Sequence, residues 1–229
     1  MPEIDIKTRL LEAAKPQVPF DGWSEATLRR AAQDAGIDGA MVDAVCPRGA
    51  IDLALAAHDA VDAEMVATLE ATDLGAMRFR ERVACAVRLR LELVEDRELV
   101  RRGMMLFFLP HYAAESTRAI WRTADRIWTA LGDTSDDVNW YTKRATLSGV
   151  YGSTLLYWLN DESEGQAETW EFLDRRIEDV MQIEKIKART RDSRVLSALM
   201  SGPASVLSRV RAPSGIDKAG MPGRWRSTQ

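Results

Sequence analysis

Residues 135–177 read SDDVNWYTKRATLSGVYGSTLLYWLNDESEGQAETWEFLDRRI, and this stretch decides the fold of the chain. Its Ser-Asp-Asp start supplies a helix N-cap and acidic first-turn charge, and no proline follows before about Leu159. Residues 160–165 have the composition of a polar turn, and a second helix is predicted from about Ala167. Two helices joined by a loop are therefore expected.

The first of these helices has one side with almost no side-chain volume, because small residues recur along it at helical spacing. Such a strip indicates either close approach of another helix backbone or room for a flexible apolar chain. The small residues are Ala145, Ser148, Gly149, Gly152 and Ser153. Bulky residues flank them, namely Tyr141, Leu147, Val150, Tyr151, Leu155 and Trp158.

Four pieces of this stretch carry a family resemblance: NWYTKR at 139–144, GVY at 149–151, YWL at 157–159 and TWEFLDRRI at 169–177. They resemble the ninth Coq protein family, the accessory lipid-binding proteins of coenzyme Q (ubiquinone) biosynthesis, and the similarity extends over roughly residues 8–213. The resemblance implies a TetR-like helical fold, binding of a polyprenyl quinone or other isoprenoid lipid, and presentation of quinone precursors to a hydroxylase. By analogy it also implies a homodimer.

The composition fits one substantial core, since 46% of the 229 residues are hydrophobic and 29% are charged. We expect a helix-turn-helix-like subdomain at residues 1–50 and a helical lipid-binding core at 51–190. An amphipathic membrane segment is expected at 191–211, followed by a disordered tail at 212–229.

The compartment is predicted from three features. Cys46 and Cys85 cannot form a disulfide framework, and the start MPEIDIKTRLLEAA has acids where a transit peptide has basic residues. The longest apolar run, residues 104–109, is too short to cross a bilayer. The resemblance includes mitochondrial family members with transit peptides, so the lack of one here predicts a bacterial cytoplasmic protein. The resemblance also implies that it is peripheral on the inner membrane.

The N-terminal region has the outline of a helix-turn-helix. Ser24 caps a helix that stops at Gly36, and a short helix then precedes Pro47. Residues 1–62 hold eleven acids and six bases, and residues 37–48 hold one base, Arg48. Because duplex binding needs Lys and Arg for phosphates, we expect a degenerate headpiece that binds no nucleic acid.

Further helices are predicted at residues 51–71, 76–94, 96–109 and 111–131, and no segment alternates as a β-strand does. The predicted fold class is all-α, a TetR-like orthogonal helical bundle with a degenerate N-terminal helix-turn-helix and a C-terminal amphipathic helix.

No motif for a cofactor or metal is present: GxGxxG, GxxxxGK[ST], CxxC and HExxH are all missing. His111, beside Pro110, is interpreted as a helix-start or surface residue and only weakly as an acid or base. We therefore expect neither cofactor, metal site nor catalytic residues, and a protein that is not an enzyme.

Residues 104–109, MMLFFL, supply more apolar volume than one helix face can use. They either fill the core or line a lipid pocket together with the face at residues 146–159. The predicted lipid-binding residues are Met104, Met105, Phe107, Phe108, Leu147, Val150, Tyr151, Leu155 and Trp158.

A partner surface is expected near the start of the helix that contains NWYTKR. Its aromatic and Arg composition is typical of an interface, and helix packing with surface charge is the alternative. Family members use this region, and the end of the preceding helix, to bind the hydroxylase. The positions that correspond are Ile127, Trp128, Asp137, Trp140, Tyr141 and Arg144.

The C-terminal segment is basic, with seven bases and two acids from residue 184 to 211. Apolar residues with basic flanks suit an anionic membrane surface, as family members use it, although such a helix could also dock on protein. The predicted membrane residues are Val195, Leu196, Leu199, Met200, Val206, Leu207, Arg209 and Arg211.

The function predicted from the sequence is thus lipid carriage, with a TetR-type ligand-responsive regulator as the alternative.

Overall fold

A computed structural model describes residues 3–191, and all regular structure in that range is helical. Its α-helices are α1 Glu3–Ala14, α2 Val18–Asp21, α3 Glu25–Ala35, α4 Gly39–Val45, α5 Ala50–Ala71, α6 Phe79–Glu92, α7 Arg97–Phe107, α8 Ala113–Ala130, α9 Val138–Trp158 and α10 Ala167–Arg191. Short 3-10 turns occupy Pro110–Tyr112 and Glu164–Gln166. The predicted all-α class is confirmed.

Helix starts follow the capping residues that the sequence offers. Ser24 accepts a hydrogen bond from the Thr27 amide at the start of α3, and Gly36 ends that helix at φ 63°. Asp96 and Asp137 cap α7 and α9 by accepting from the amides of Glu98 and Asn139. These side-chain oxygens satisfy backbone amides that have no partner within the helix.

Several helix bounds differ from the prediction, and three of the differences have a clear local cause. α2 was not predicted, because Pro16 and Pro19 were expected to break the helical pattern; it forms with Pro19 in its first turn, where a missing amide costs nothing. α7 ends at Phe107 rather than at Leu109, and Pro110 begins a separate 3-10 turn. α9 begins after Asp137, because the Ser135 hydroxyl donates to Asp133 Oδ1 at 2.8 Å instead of capping the helix.

The chain forms two compact units, and each is discontinuous in sequence. Among the described residues, the first contains those up to Ala67 together with Glu92–Ala119, and the second contains Thr68–Leu91 and those from Ile120 to Arg191. The domain limits expected from the sequence stay predictions. The predicted membrane residues of segment 191–211 lie outside the described residues.

In the first unit, α1 packs on α3 and α4, and their inner faces share one apolar core. Leu10, Leu28 and Val45 are buried there. Trp23 donates its indole N–H to the Leu99 carbonyl at 3.0 Å, which ties the loop before α3 to α7. The helix-turn-helix outline of α3 and α4 is present.

The outer side of α4 is unsuited to DNA. Ala40, Met41, Asp43 and Ala44 are exposed, and α4 has no Lys or Arg. A recognition helix reads base edges with Arg, Lys, Asn or Gln, and none of these residues lies on α4.

In the second unit, α9 is the central helix and packs on α10. Aromatic contacts join α9 to α8, since the Trp121 and Trp140 rings lie 6.0 Å apart. Tyr151 and Leu173 are fully buried. None of the helices in the described range is both long enough and apolar enough to cross a bilayer.

Candidate hydrophobic ligand site

A cavity of about 220 Å³ lies within the second unit, between residues of α6, α8, α9 and α10. Apolar side chains make most of its wall. They are Phe79 and Val83 on α6, Trp128 on α8, Leu147 and Val150 on α9, and Ile177, Val180 and Met181 on α10.

Two aromatic rings of the cavity lining pack against each other. Phe79 stacks on Trp128 with ring centroids 5.4 Å apart and planes inclined by 26°. The Trp128 indole N–H donates to the Lys143 carbonyl at 3.1 Å, which fixes the ring against α9. Phe79 and Met181 are themselves exposed, so apolar side chains continue from the cavity wall to the protein surface.

The rest of the lining is polar and lies mainly at the start of α9. These residues are Arg80, Asn139, Thr142, Lys143 and Thr146. The Lys143 ammonium is held in place, because it donates to Asp133 Oδ1 at 2.7 Å and to Ser135 Oγ at 2.6 Å. The lining therefore offers hydrogen-bond donors as well as apolar contact.

Asp133 also accepts from Arg144, whose Nη1 lies 3.0 Å from Asp133 Oδ2. Arg144 pairs through Nε with Asp125 of α8, and all three side chains are buried. Burial alone opposes ionisation of Asp133, but hydrogen bonds from Lys143, Ser135 and Arg144 outweigh it and lower its pKa to about 2. The carboxylate is thus ionised at neutral pH.

This arrangement suits binding of an apolar chain with a polar end. Known small-molecule pockets have about 300–1,000 Å³, so a cavity of about 220 Å³ holds part of a lipid rather than a whole quinone. Among the described residues, no group of three or more His, Cys, Asp or Glu side chains could hold a metal.

The predicted lipid-binding residues fall in both units. Leu147 and Val150 line the cavity. Their helix neighbours Tyr151, Leu155 and Trp158 are buried in the core of the second unit and are not part of the cavity wall. The assignment of these side chains as lipid contacts stays a prediction.

The residues predicted on α7 belong to the first unit. Phe107 is buried and Met104 is half-buried. Met105 and Phe108 are exposed, so they do not fill the core. Their assignment as lipid contacts stays a prediction.

The strip of small residues on α9 is open at its centre. A methyl group added to Gly149 would meet no atom within 4 Å, and one added to Gly152 would lie 3.8 Å from Ile120 Cδ1. Within the described chain, no helix backbone packs closely over Gly149.

The predicted partner residues separate into two groups by burial. Ile127, Trp128, Trp140 and Arg144 are buried in the second unit, where a protein partner could not contact them without rearrangement. Asp137 caps α9 and is half-buried, and Tyr141 is half-buried with its ring 4.8 Å from Trp140. The interface assignment stays a prediction and is retained for Asp137 and Tyr141.

Sequence reasoning missed the contribution of α10 and the buried ion pairs. Ile177, Val180 and Met181 recur at i, i+3 and i+4, a signal that could have identified a ligand-facing side. The pairing of Arg144 with Asp125 has no such signal, because it joins residues 19 positions apart on different helices.

Comparison with known proteins finds similarity to one family. Residues 113–184, which run from α8 into α10, match the COQ9 family model. The mitochondrial ubiquinone biosynthesis protein COQ9 of Drosophila melanogaster is 30% identical over 190 residues, covering 81% of this chain and 58% of that protein. Its counterparts in Rattus norvegicus and Homo sapiens are 33% and 31% identical, each over 78% of this chain and over 60% and 58% of their own length. The chain thus spans about three fifths of these relatives.

Among solved structures, a TetR transcriptional regulator from Nitrosomonas europaea superimposes with a TM-score of 0.58 at 19% identity. The match covers 76% of this chain and 96% of that one. At this identity the match concerns the fold alone, and it confirms the predicted TetR-like architecture.

The expected bacterial cytoplasmic location is wrong in the light of these relatives, which are named as mitochondrial proteins. The error came from reading the acidic N-terminal residues as evidence about the compartment. The chain carries a COQ9 family domain and is homologous to COQ9 ubiquinone biosynthesis proteins, which confirms the family resemblance of its sequence motifs.

Proposed function

We propose that this chain is an accessory protein of ubiquinone biosynthesis that binds an isoprenoid lipid and presents a polyprenyl quinone intermediate to a hydroxylase. The relatives named as ubiquinone biosynthesis proteins support the pathway. The observation that carries the lipid assignment is the apolar cavity between α6, α9 and α10.

The cavity wall explains how a lipid would be held without any catalytic group. Each CH₂ transferred from water to Val83, Leu147, Val150 and Ile177 gains about 0.8 kcal/mol. The polar lining around Lys143 and Asn139 would contact an oxygen-bearing end of the ligand. Exposed Phe79 and Met181 give the rest of the tail an apolar path to the surface.

The hydroxylase would bind beside the cavity, at the start of α9. Asp137 and Tyr141 lie in the first turns of that helix, next to the polar lining residues Asn139 and Thr142. Association with an anionic membrane through segment 191–211 and formation of a homodimer complete the proposal.

The alternative, a TetR-type regulator, is supported by fold likeness alone. The exposed side of α4 opposes it, because small, apolar and acidic residues occupy the positions where DNA contacts would be needed.

A matched pair of tryptophan substitutions tests lipid binding. Thr146 lines the cavity and is exposed, so Thr146→Trp should place an indole in the cavity and displace the lipid. Thr129 is exposed on α8 outside the cavity lining and provides the control, Thr129→Trp. Native mass spectrometry should show lipid-bound protein for the parent and the control and mostly empty protein for Thr146→Trp. Equal lipid occupancy in all three would contradict the assignment of this cavity.

A further inference from the structure

A second cavity adjoins the candidate ligand site within the second unit. It is a cleft of about 390 Å³ between α6 and α10, called the α6–α10 cleft below. Arg80 and Ile177 line both this cleft and the cavity of about 220 Å³ described above. Because two residues are shared, one of them on each helix, the two spaces are neighbours along the same pair of helices.

The cleft combines small side chains on one helix with large ones on the other. α6 lines it with Ala84 and Cys85, and α10 lines it with Trp170 and Leu173. Close-packed protein interiors rarely leave a space larger than a water molecule between two helices. The small residues of α6 thus leave room that the packing of α6 on α10 does not use.

Two contacts join α6 to α10 around these small residues. Arg80 Nη1 donates to Glu178 Oε2 at 3.1 Å, and the Arg88 guanidinium lies 4.8 Å from the centroid of the Trp170 ring. Arg80 and Arg88 are about two helical turns apart, and Ala84 lies midway between them. The helices are therefore held together on both sides of Ala84.

The lining of the cleft favours an apolar occupant. Leu173 and Ile177 are buried, and neither they nor Ala84 can hydrogen-bond a water molecule, which needs about two to four polar partners. Charged side chains of the lining already have protein contacts: Glu81 accepts from the Arg78 amide at 2.8 Å, and the two arginines bridge to α10. A hydrocarbon chain suits this lining better than a charged ligand does.

We infer that the α6–α10 cleft holds the far part of an isoprenoid tail whose near part lies in the cavity of about 220 Å³. The inference rests on the proposed function, because it extends the same ligand past Ile177. Known small-molecule pockets have about 300–1,000 Å³, and the two spaces together fall within that range although the first alone does not. The apolar path along Phe79 and Met181 is then the entrance, and the cleft shields the tail from water.

This arrangement makes the cleft sensitive to tail length. A short isoprenoid occupies the first cavity alone, and a longer one also fills the cleft. Geraniol and geranylgeraniol are suitable probes, since both are isoprenoid alcohols and the chain of geraniol is half as long.

Labelling of Cys85 reports on the cleft directly, because this half-buried thiol lines it. Cys46 is the internal control, since it is buried in the first unit and burial raises the pKa of its thiol. Labelling of the folded, lipid-free full chain by N-ethylmaleimide is followed by mass spectrometry of its peptides. Saturating geranylgeraniol should slow labelling of Cys85 several-fold, whereas saturating geraniol should leave the rate nearly unchanged.

Filling the cleft with an indole is the second test. Ala84→Trp should raise the Kd for geranylgeraniol about tenfold and the Kd for geraniol by less than about twofold, since only the longer chain reaches the cleft. Ala71→Trp is the matched control, at an exposed position on α5 in the same unit and outside both linings. It should leave both constants unchanged. Melting temperatures show whether the variants are folded, and the labelling test does not depend on them.

The outcomes separate this inference from the proposed function. Geranylgeraniol that binds, as native mass spectrometry shows, yet leaves Cys85 labelling unchanged would overturn the inference and leave the proposed function standing. Slow labelling of Cys85 in lipid-free protein, unaltered by either alcohol, would assign the cleft to another part of the chain and would equally overturn it. Binding of neither alcohol would contradict the proposed function and the inference with it.

Discussion

Arg144 donates through Nη1 to Asp133 Oδ2 at 3.0 Å, and less than one twentieth of either side chain is exposed. The same guanidinium pairs with Asp125 of α8, and Asp133 also holds Lys143 in the cavity lining. These buried charges tie the first half of α9 to α8 and to the loop that follows α8. They therefore position Lys143 in the lining of the proposed ligand site.

Replacing Arg144 should be strongly destabilising, because Asp125 and Asp133 would remain buried without their cation. We expect Arg144→Met to lower the free energy of unfolding by about 3–5 kcal/mol in urea denaturation. Arg175, in an exposed pair with Glu171, is the control, and Arg175→Met should cost less than about 1 kcal/mol. Similar losses for the two variants would refute a structural role for the buried network.

Acid should lower the free energy of unfolding by protonating Asp133. The pKa of this carboxyl is 3.8 before folding and about 2 in the folded protein, so its ionised form stabilises the fold above about pH 4. This stabilisation, about 2 kcal/mol, is lost as the pH falls from about 4 to about 2.

Urea unfolding of parent and Asp133→Asn between about pH 5 and pH 2 measures this contribution. The variant should be less stable than the parent at pH 5, and the difference should shrink toward pH 2. Asp136→Asn, at an exposed position three residues along, should follow the parent throughout. A constant difference between parent and Asp133→Asn would show that the carboxylate is not the titrating group.

The helices and their caps were predictable because their signals are local. Ser24, Asp96 and Asp137 each precede an apolar periodic run, and each caps a helix in the structure. α2 was missed, since two nearby prolines indicate a break in a helix although a proline is acceptable in its first turn.

The ligand site was only half predictable. Leu147 and Val150 stand out on α9, but their partners Val83 and Ile177 come from segments far apart in sequence, and only tertiary packing brings them together. Burial of Trp140 was equally hidden, because adjacent aromatic residues at 140 and 141 leave open which of them faces inward.

Trp140 and Tyr141 should respond differently to truncation. Trp140 is 2% exposed, so Trp140→Ala should lower the free energy of unfolding by about 3–5 kcal/mol. Tyr141→Ala should cost less stability. It should weaken co-purification of the hydroxylase, since Tyr141 is one of the two residues proposed to contact that partner. Tyr141→Ala protein that retains the hydroxylase at parental yield would remove Tyr141 from the interface.

Duplex DNA should not be bound. α4 lacks Lys and Arg, and residues 1–62 carry eleven acids against six bases, so little phosphate charge can be neutralised. Filter binding at low salt should give no retention above that of an acidic control protein. Retention of DNA that falls steeply with added salt would favour the alternative function, a TetR-type regulator.

The most direct measurement of the central claim is extraction and mass identification of the lipid that co-purifies with the full chain, isolated without harsh detergent from a quinone-producing host. The proposed function predicts an isoprenoid lipid or polyprenyl quinone intermediate in a substantial fraction of the molecules. Repeated recovery of protein that carries no such lipid would contradict the account.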